Sequence, residues 1–217
     1  MEFDELRAHV GNELKRRFWE HKAMPALSSG RVRIDGWLKV ELTAILAEKG
    51  EAEPAFKLPK GRAAVRSGDW LVEAASLPTD FPYDATKAAS GSLPDDVKDL
   101  RKLIKRLRKG RGRRHAAVFI AVYPFGDLHE ASWAPHRERI EKSLGGPLAE
   151  DRFSFQGGVT GRLYAGQVAE RVRAKPGQEL PAQEVSVTML KPVTADKKPS
   201  RPRRVTPPGI PTPTAKQ

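Results

Sequence analysis

Residues 116–126, AAVFIAVYPFG, are almost continuously apolar until Pro124. A run of that length, stopped by proline, suits a strand covered on both faces, the kind found at the centre of a parallel or mixed sheet. It follows SLPDDVKDLRKLIKRLRKG (92–110), where Val97, Leu100, Leu103, Ile104 and Leu107 recur at helical spacing. Ser92 and Asp95 stand at capping-box spacing, Pro94 falls in the first turn, and the helix is expected to end near Gly110. A strand buried on both faces requires covering layers on both sides, so the expected architecture is α/β, a small mixed central sheet flanked by helices.

The rest of the chain fits that plan. Phe3, Leu6, Val10, Leu14 and Phe18 predict an amphipathic helix ending before Pro25. A second helix is expected over about 35–49, stopped by Gly50. Short strand-like runs follow, AFKL (55–58), RAAVR (62–66) and WLVEAAS (70–76), with the turn-prone SGD between the last two. After the central strand, HRERIEKSLGG (136–146) reads as a helix. RFSFQGG and GRLYAGQVAERV read as a closing strand pair joined around Gly157 and Gly158.

The 217-residue chain carries a net charge of +12 that is unevenly placed. Lys98, Arg101, Lys102, Lys105, Arg106, Arg108, Lys109, Arg111, Arg113 and Arg114 face a single acid, Asp99, within residues 98–114. Residues 174–217 hold eight cations, three acids and nine of the eighteen prolines. Repeated proline removes backbone donors and fixes φ, so this part is expected to be a disordered basic tail, with at most a brief strand in EVSVTML. The ordered domain should span 1–173. Concentrated basicity suits a polyanion such as nucleic acid, with phosphate contacts and no base readout. A solvated helix face with a solubilising tail is the plainer alternative.

Several classes are excluded or unsupported. Without cysteine there are no disulfides, thiolate zinc sites or cysteine nucleophiles. No apolar run approaches the roughly 18 residues of a membrane span, and a cytoplasmic location is the default expectation. His9, His21, His115, His129 and His136 show no ligand spacing, and no zinc-finger, Walker or RNP-like pattern occurs.

Two carboxylates stand out. Glu41 falls on the helical wheel beside Ile34, Leu38 and Ile45, where a charge is costly unless a metal or cation meets it. Glu73 shares a strand face with Leu71 and Ala75. Their order along the chain is a helix with Glu41, a hairpin with Glu73 on its second strand, a basic helix and a buried strand. Over about residues 34–124 the chain therefore resembles the PD-(D/E)XK nuclease-like superfamily, also called restriction-endonuclease-like. The resembling stretches are DGWLKVEL, GRAAVRSGDWLVEAAS, DVKDLRKLIKRL and AAVFIAVYP.

The resemblance implies a restriction-endonuclease-like fold in which Glu41 and Glu73 act as catalytic groups holding Mg²⁺ for phosphodiester hydrolysis. Two positions depart from the family pattern. Ala64 stands where an aspartate is expected and Ala75 where Glu-x-Lys would have its lysine. The implied protein is a nucleic-acid-binding, DNA-directed nuclease homologue with a degenerate site that binds Mg²⁺ weakly. A second reading is an active Mg²⁺-dependent endonuclease whose lysine comes from elsewhere, with Lys60, Arg62 and Lys87 as candidates. A third is a non-enzymatic interaction protein acting through its basic tail.

Overall fold

The computed structural model describes residues 1–29, 32–50, 52–79 and 93–170. In chain order its elements are α1 (Phe3–Glu20), α2 (Met24–Ser29), α3 (Asp35–Ala47), β1 (Ala52–Pro54), β2 (Lys57–Leu58), β3 (Gly61–Arg62), β4 (Val65–Ser67) and β5 (Trp70–Pro78). Then come α4 (Leu93–Gly110), β6 (His115–Tyr123), a 3-10 turn at Asp127–His129, α5 (Glu130–Leu144), β7 (Ala149–Ser154) and β8 (Thr160–Gln167). The tail 174–217 with its EVSVTML segment, the Ser92 cap and Lys87 lie outside the described residues. Among the described residues, no helix is long and apolar enough to cross a membrane.

Six strands form one mixed sheet in the order β1-β4-β5-β6-β8-β7, and β2 pairs with β3 beside it. The apolar run of 116–123 is the inner strand β6, parallel to β5 and antiparallel to β8. The parallel step needs a crossover, and α4 lies within it. Alternate residues of β5 and β6 feed two separate cores. Trp70, Val72, Ala74, Ala117, Phe119 and Tyr123 pack with α1 and α3, through residues such as Leu14, Phe18, Leu38 and Leu42. Leu71, Ala75, Leu77, Val118, Ile120 and Val122 pack with α4 and α5, through Leu100, Ile104, Trp133 and Leu144. Each large side chain so covered is worth about 1.5–3 kcal/mol, which makes the two-sided burial of β6 the main determinant of the layering.

The structure departs from the sequence expectations in three places. AFKL and RAAVR do not form whole strands. Ala55 takes a positive φ of 52°, and its N–H donates to the Ala64 carbonyl at 2.7 Å. This deflects the chain into the small β2–β3 hairpin, whose turn ends on Gly61 at φ 103°. The helix expected at 136–146 begins earlier, at Glu130, and continues through Pro135, which has no N–H to offer the Ala131 carbonyl one turn before it. The first helix stops at Glu20, before Pro25 as expected, but a short helix that was not anticipated, α2, follows with Pro25 in its opening turn.

Candidate functional site

The β4–β5 ladder ends at Val65 opposite Val72. One residue further on stand Ala64 and Glu73, where β4 leaves the sheet. The freed edge of β5 is met by α3. The Ser76 N–H and hydroxyl both donate to Asp35 Oδ1, at 2.5 and 2.9 Å. The Ser76 oxygen in turn accepts the Ile34 N–H at 2.9 Å. These bonds fix the start of α3 against the strand edge and set the rotation of the helix.

That rotation carries Lys39 to Glu73. Lys39 Nζ lies 3.0 Å from Glu73 Oε1, and the Glu73 side chain is only 1 % exposed. The same oxygen accepts the Ala74 N–H at 3.3 Å. Burial pushes the Glu73 carboxyl above its ordinary value, and the opposing pull of Lys39, with a weaker one from Arg106, does not cancel it. A cavity of about 590 Å³ opens over this pair. Val40, Ala44, Pro54, Ala55, Ala63 and Ala64 supply its apolar walls. Lys39, Thr43, Arg62 and Glu73 supply the polar groups.

Glu41 faces elsewhere. Residues two apart on a helix point about 200° apart, so with Lys39 turned toward Glu73, Glu41 turns toward α1. There it forms an ion pair with Arg17, which also binds Glu48 at 2.8 Å. The cation expected to meet a carboxylate in the apolar arc of α3 is therefore an arginine from the neighbouring helix. The structure does not bring Glu41 and Glu73 to one point. Among the described residues no group of three or more acidic or histidine side chains could hold a metal ion. Inside the cavity the single carboxylate is already bound by an ammonium group. The residues present do not fit a Mg²⁺ centre.

The basic segment separates into two sets. Arg101 Nε donates to Ser143 Oγ at 2.9 Å, and Arg108 donates to the Ser143 carbonyl, so both clamp α4 to α5. Arg111 is buried and binds the Arg114 carbonyl and Glu170. Arg114 lies over the Phe56 ring, and the Arg106 side chain runs against Gly61. Lys98, Lys102, Lys105 and Lys109 are exposed and follow 4-3-4 spacing, one outward stripe about 16 Å long. Asp95 and Asp99 offset its first half, and Lys102 holds the Asp99 carboxyl below its ordinary value. Arg113, also exposed, lies beyond its acid-free end.

Of the relocated-lysine candidates, Arg62 lines the cavity, and Lys60 is exposed in the β2–β3 turn. Lys39 is the residue that sequence reasoning missed. Its signal was its isolation: it is the only cation in DGWLKVELTAILA. Searches of protein-family models, of curated proteins and of solved structures each find no match to this chain.

Proposed function

We propose that this protein binds nucleic acid, DNA in the first instance, through the outward lysine stripe of α4, on a restriction-endonuclease-like domain with a degenerate site. The observation that carries the reading is the division of labour on α4. Its arginines are spent on packing, and its lysines are left as a line of solvated point charges. Such a line suits phosphate contact without base recognition. The kinship is supported by the succession of α3, the β4–β5 hairpin, α4 and β6. It is supported also by Ala64, at the expected aspartate position, which lines the same cavity as Glu73.

The test is retention of labelled duplex DNA across a salt series, with Lys98, Lys102, Lys105 and Lys109 changed together to Gln. For every phosphate that the protein no longer neutralises, the slope of log affinity against log salt becomes shallower by about 0.9. An unchanged slope would overturn the reading, and absence of any retention by the wild type would favour a protein partner.

A further inference from the structure

We propose that the Glu73 cavity is a metal-independent phosphoryl-binding site, in which the Lys39 ammonium takes the place of a divalent cation. The inference rests on the nucleic-acid reading above and deepens it. A metal in a nuclease-like site binds to acidic side chains on one side and presents positive charge to a phosphate on the other. Here Lys39 has that arrangement without a metal. One of its three N–H donors is engaged by the buried Glu73 carboxylate. Its side chain is 42 % exposed and lines the cavity, which leaves the remaining donors for a ligand there.

The cations around the carboxylate exceed the charge needed to balance it. Arg62 is exposed and lines the same cavity. Arg106 acts on Glu73 electrostatically from α4, and its Nε is buried without a hydrogen-bond partner among the described residues. With one carboxylate and two cations in its lining, Lys39 and Arg62, the cavity favours an anion. The apolar walls provided by Ala63 and Ala64 leave room where longer acidic side chains would repel it. The ligand class is a phosphoryl group, carried either by the chain of a nucleic acid as a diester or by its 5′ end as a monoester.

The experiment measures affinity for a 20-nucleotide oligonucleotide in EDTA at fixed ionic strength, with 5′-phosphate and with 5′-hydroxyl. Four proteins are compared: wild type, Arg62→Ala, the α4 variant with its four stripe lysines changed to Gln, and the double variant Lys39→Met/Glu73→Gln, which leaves no buried charge unpaired. Circular dichroism melting checks that each is folded. Expected are wild-type binding unaffected by EDTA and a three- to tenfold loss in both pocket variants. If the 5′ end is the source, the loss is confined to the phosphorylated oligonucleotide; if the chain diester is, both oligonucleotides lose equally. Binding that EDTA abolishes, or folded variants with wild-type affinity, would overturn the proposal. If the pocket variants bind normally while the α4 lysine variant does not, this inference alone falls. If the lysine variant also binds normally, the underlying reading falls with it.

Discussion

Lys39 and Glu73 form a one-to-one ion pair at 3.0 Å across the junction between α3 and the unpaired edge of β5, with the lysine half in solvent and the glutamate almost wholly out of it. The asymmetry fixes what each substitution should do. Lysine keeps a large part of its hydration, whereas glutamate gives up nearly all of its own. The pair is therefore governed by the cost of keeping Glu73 charged.

Glu73→Gln should raise stability at neutral pH by about 1 kcal/mol, since it removes a poorly compensated buried charge and keeps an oxygen for Lys39. The pH dependence has a defined sign. Because the folded carboxyl is shifted upward, the folded chain keeps its proton where the unfolded chain has released it. Wild type thus loses stability as pH rises from about 4.3, the unfolded value, through the raised folded value, and levels off above it. Melting curves of the two proteins should nearly coincide near pH 4 and separate as pH increases. Lys39→Met should act in the opposite direction, costing about 2 kcal/mol at pH 7.

Glu41→Ala should lower stability by about 1–2 kcal/mol, because it leaves a half-buried Arg17 with one fewer partner at the α1–α3 interface. It should leave nucleic-acid retention unchanged. A combined urea melt and binding assay tests both parts, and loss of retention by a fully folded variant would contradict the assignment of Glu41 to packing.

Neighbouring basic residues on α4 should respond differently. Arg108→Ala removes a hydrogen bond to the α5 backbone and should cost about 1–2 kcal/mol in thermal unfolding. Lys109→Ala, on the exposed stripe, should change stability by no more than about 0.5 kcal/mol and reduce the salt dependence of retention instead.

Ala64→Asp places a second carboxylate in the cavity beside Glu73. The expected result is a melting temperature that rises on adding millimolar Mn²⁺ for the variant and stays constant for the wild type. A variant that folds yet shows no Mn²⁺ response would break the proposed correspondence between Ala64 and the aspartate of nuclease-like sites.

The positions of α1, α3 and α4 and of the central strand could be read in the sequence because each depends on a repeating pattern that tertiary contacts reinforce. The apolar run of β6 and the five-residue stripe of α4 are of this kind. The β2–β3 hairpin was not legible, since it depends on one alanine with positive φ and on hydrogen bonds between segments that carry no periodic signal. The candidate site was half legible. Glu73 could be singled out from its place in the order of elements. Its partner could not, because the rotation of α3 is set by Asp35 binding the Ser76 edge, a contact between distant residues. That same rotation sends Glu41 to Arg17. The total charge of the basic segment was plain as well, but its split into clamping arginines and exposed lysines depends on where Ser143 and Glu170 come to lie.

The arrangement of α1 has a consequence for how the molecule is made. Phe18 stacks on Phe153 with ring centroids 4.4 Å apart, and Arg7 and Lys15 both reach Asp151, so α1 is seated on β7. On a ribosome α1 emerges more than a hundred residues ahead of that strand. Part of its apolar side meets α3 and β5 earlier, through Trp37 and Trp70, but the face of Phe18 that stacks on Phe153 stays uncovered until the closing hairpin is released. Substitutions that loosen β7 should therefore reduce soluble yield more than the thermal stability of the finished protein would suggest.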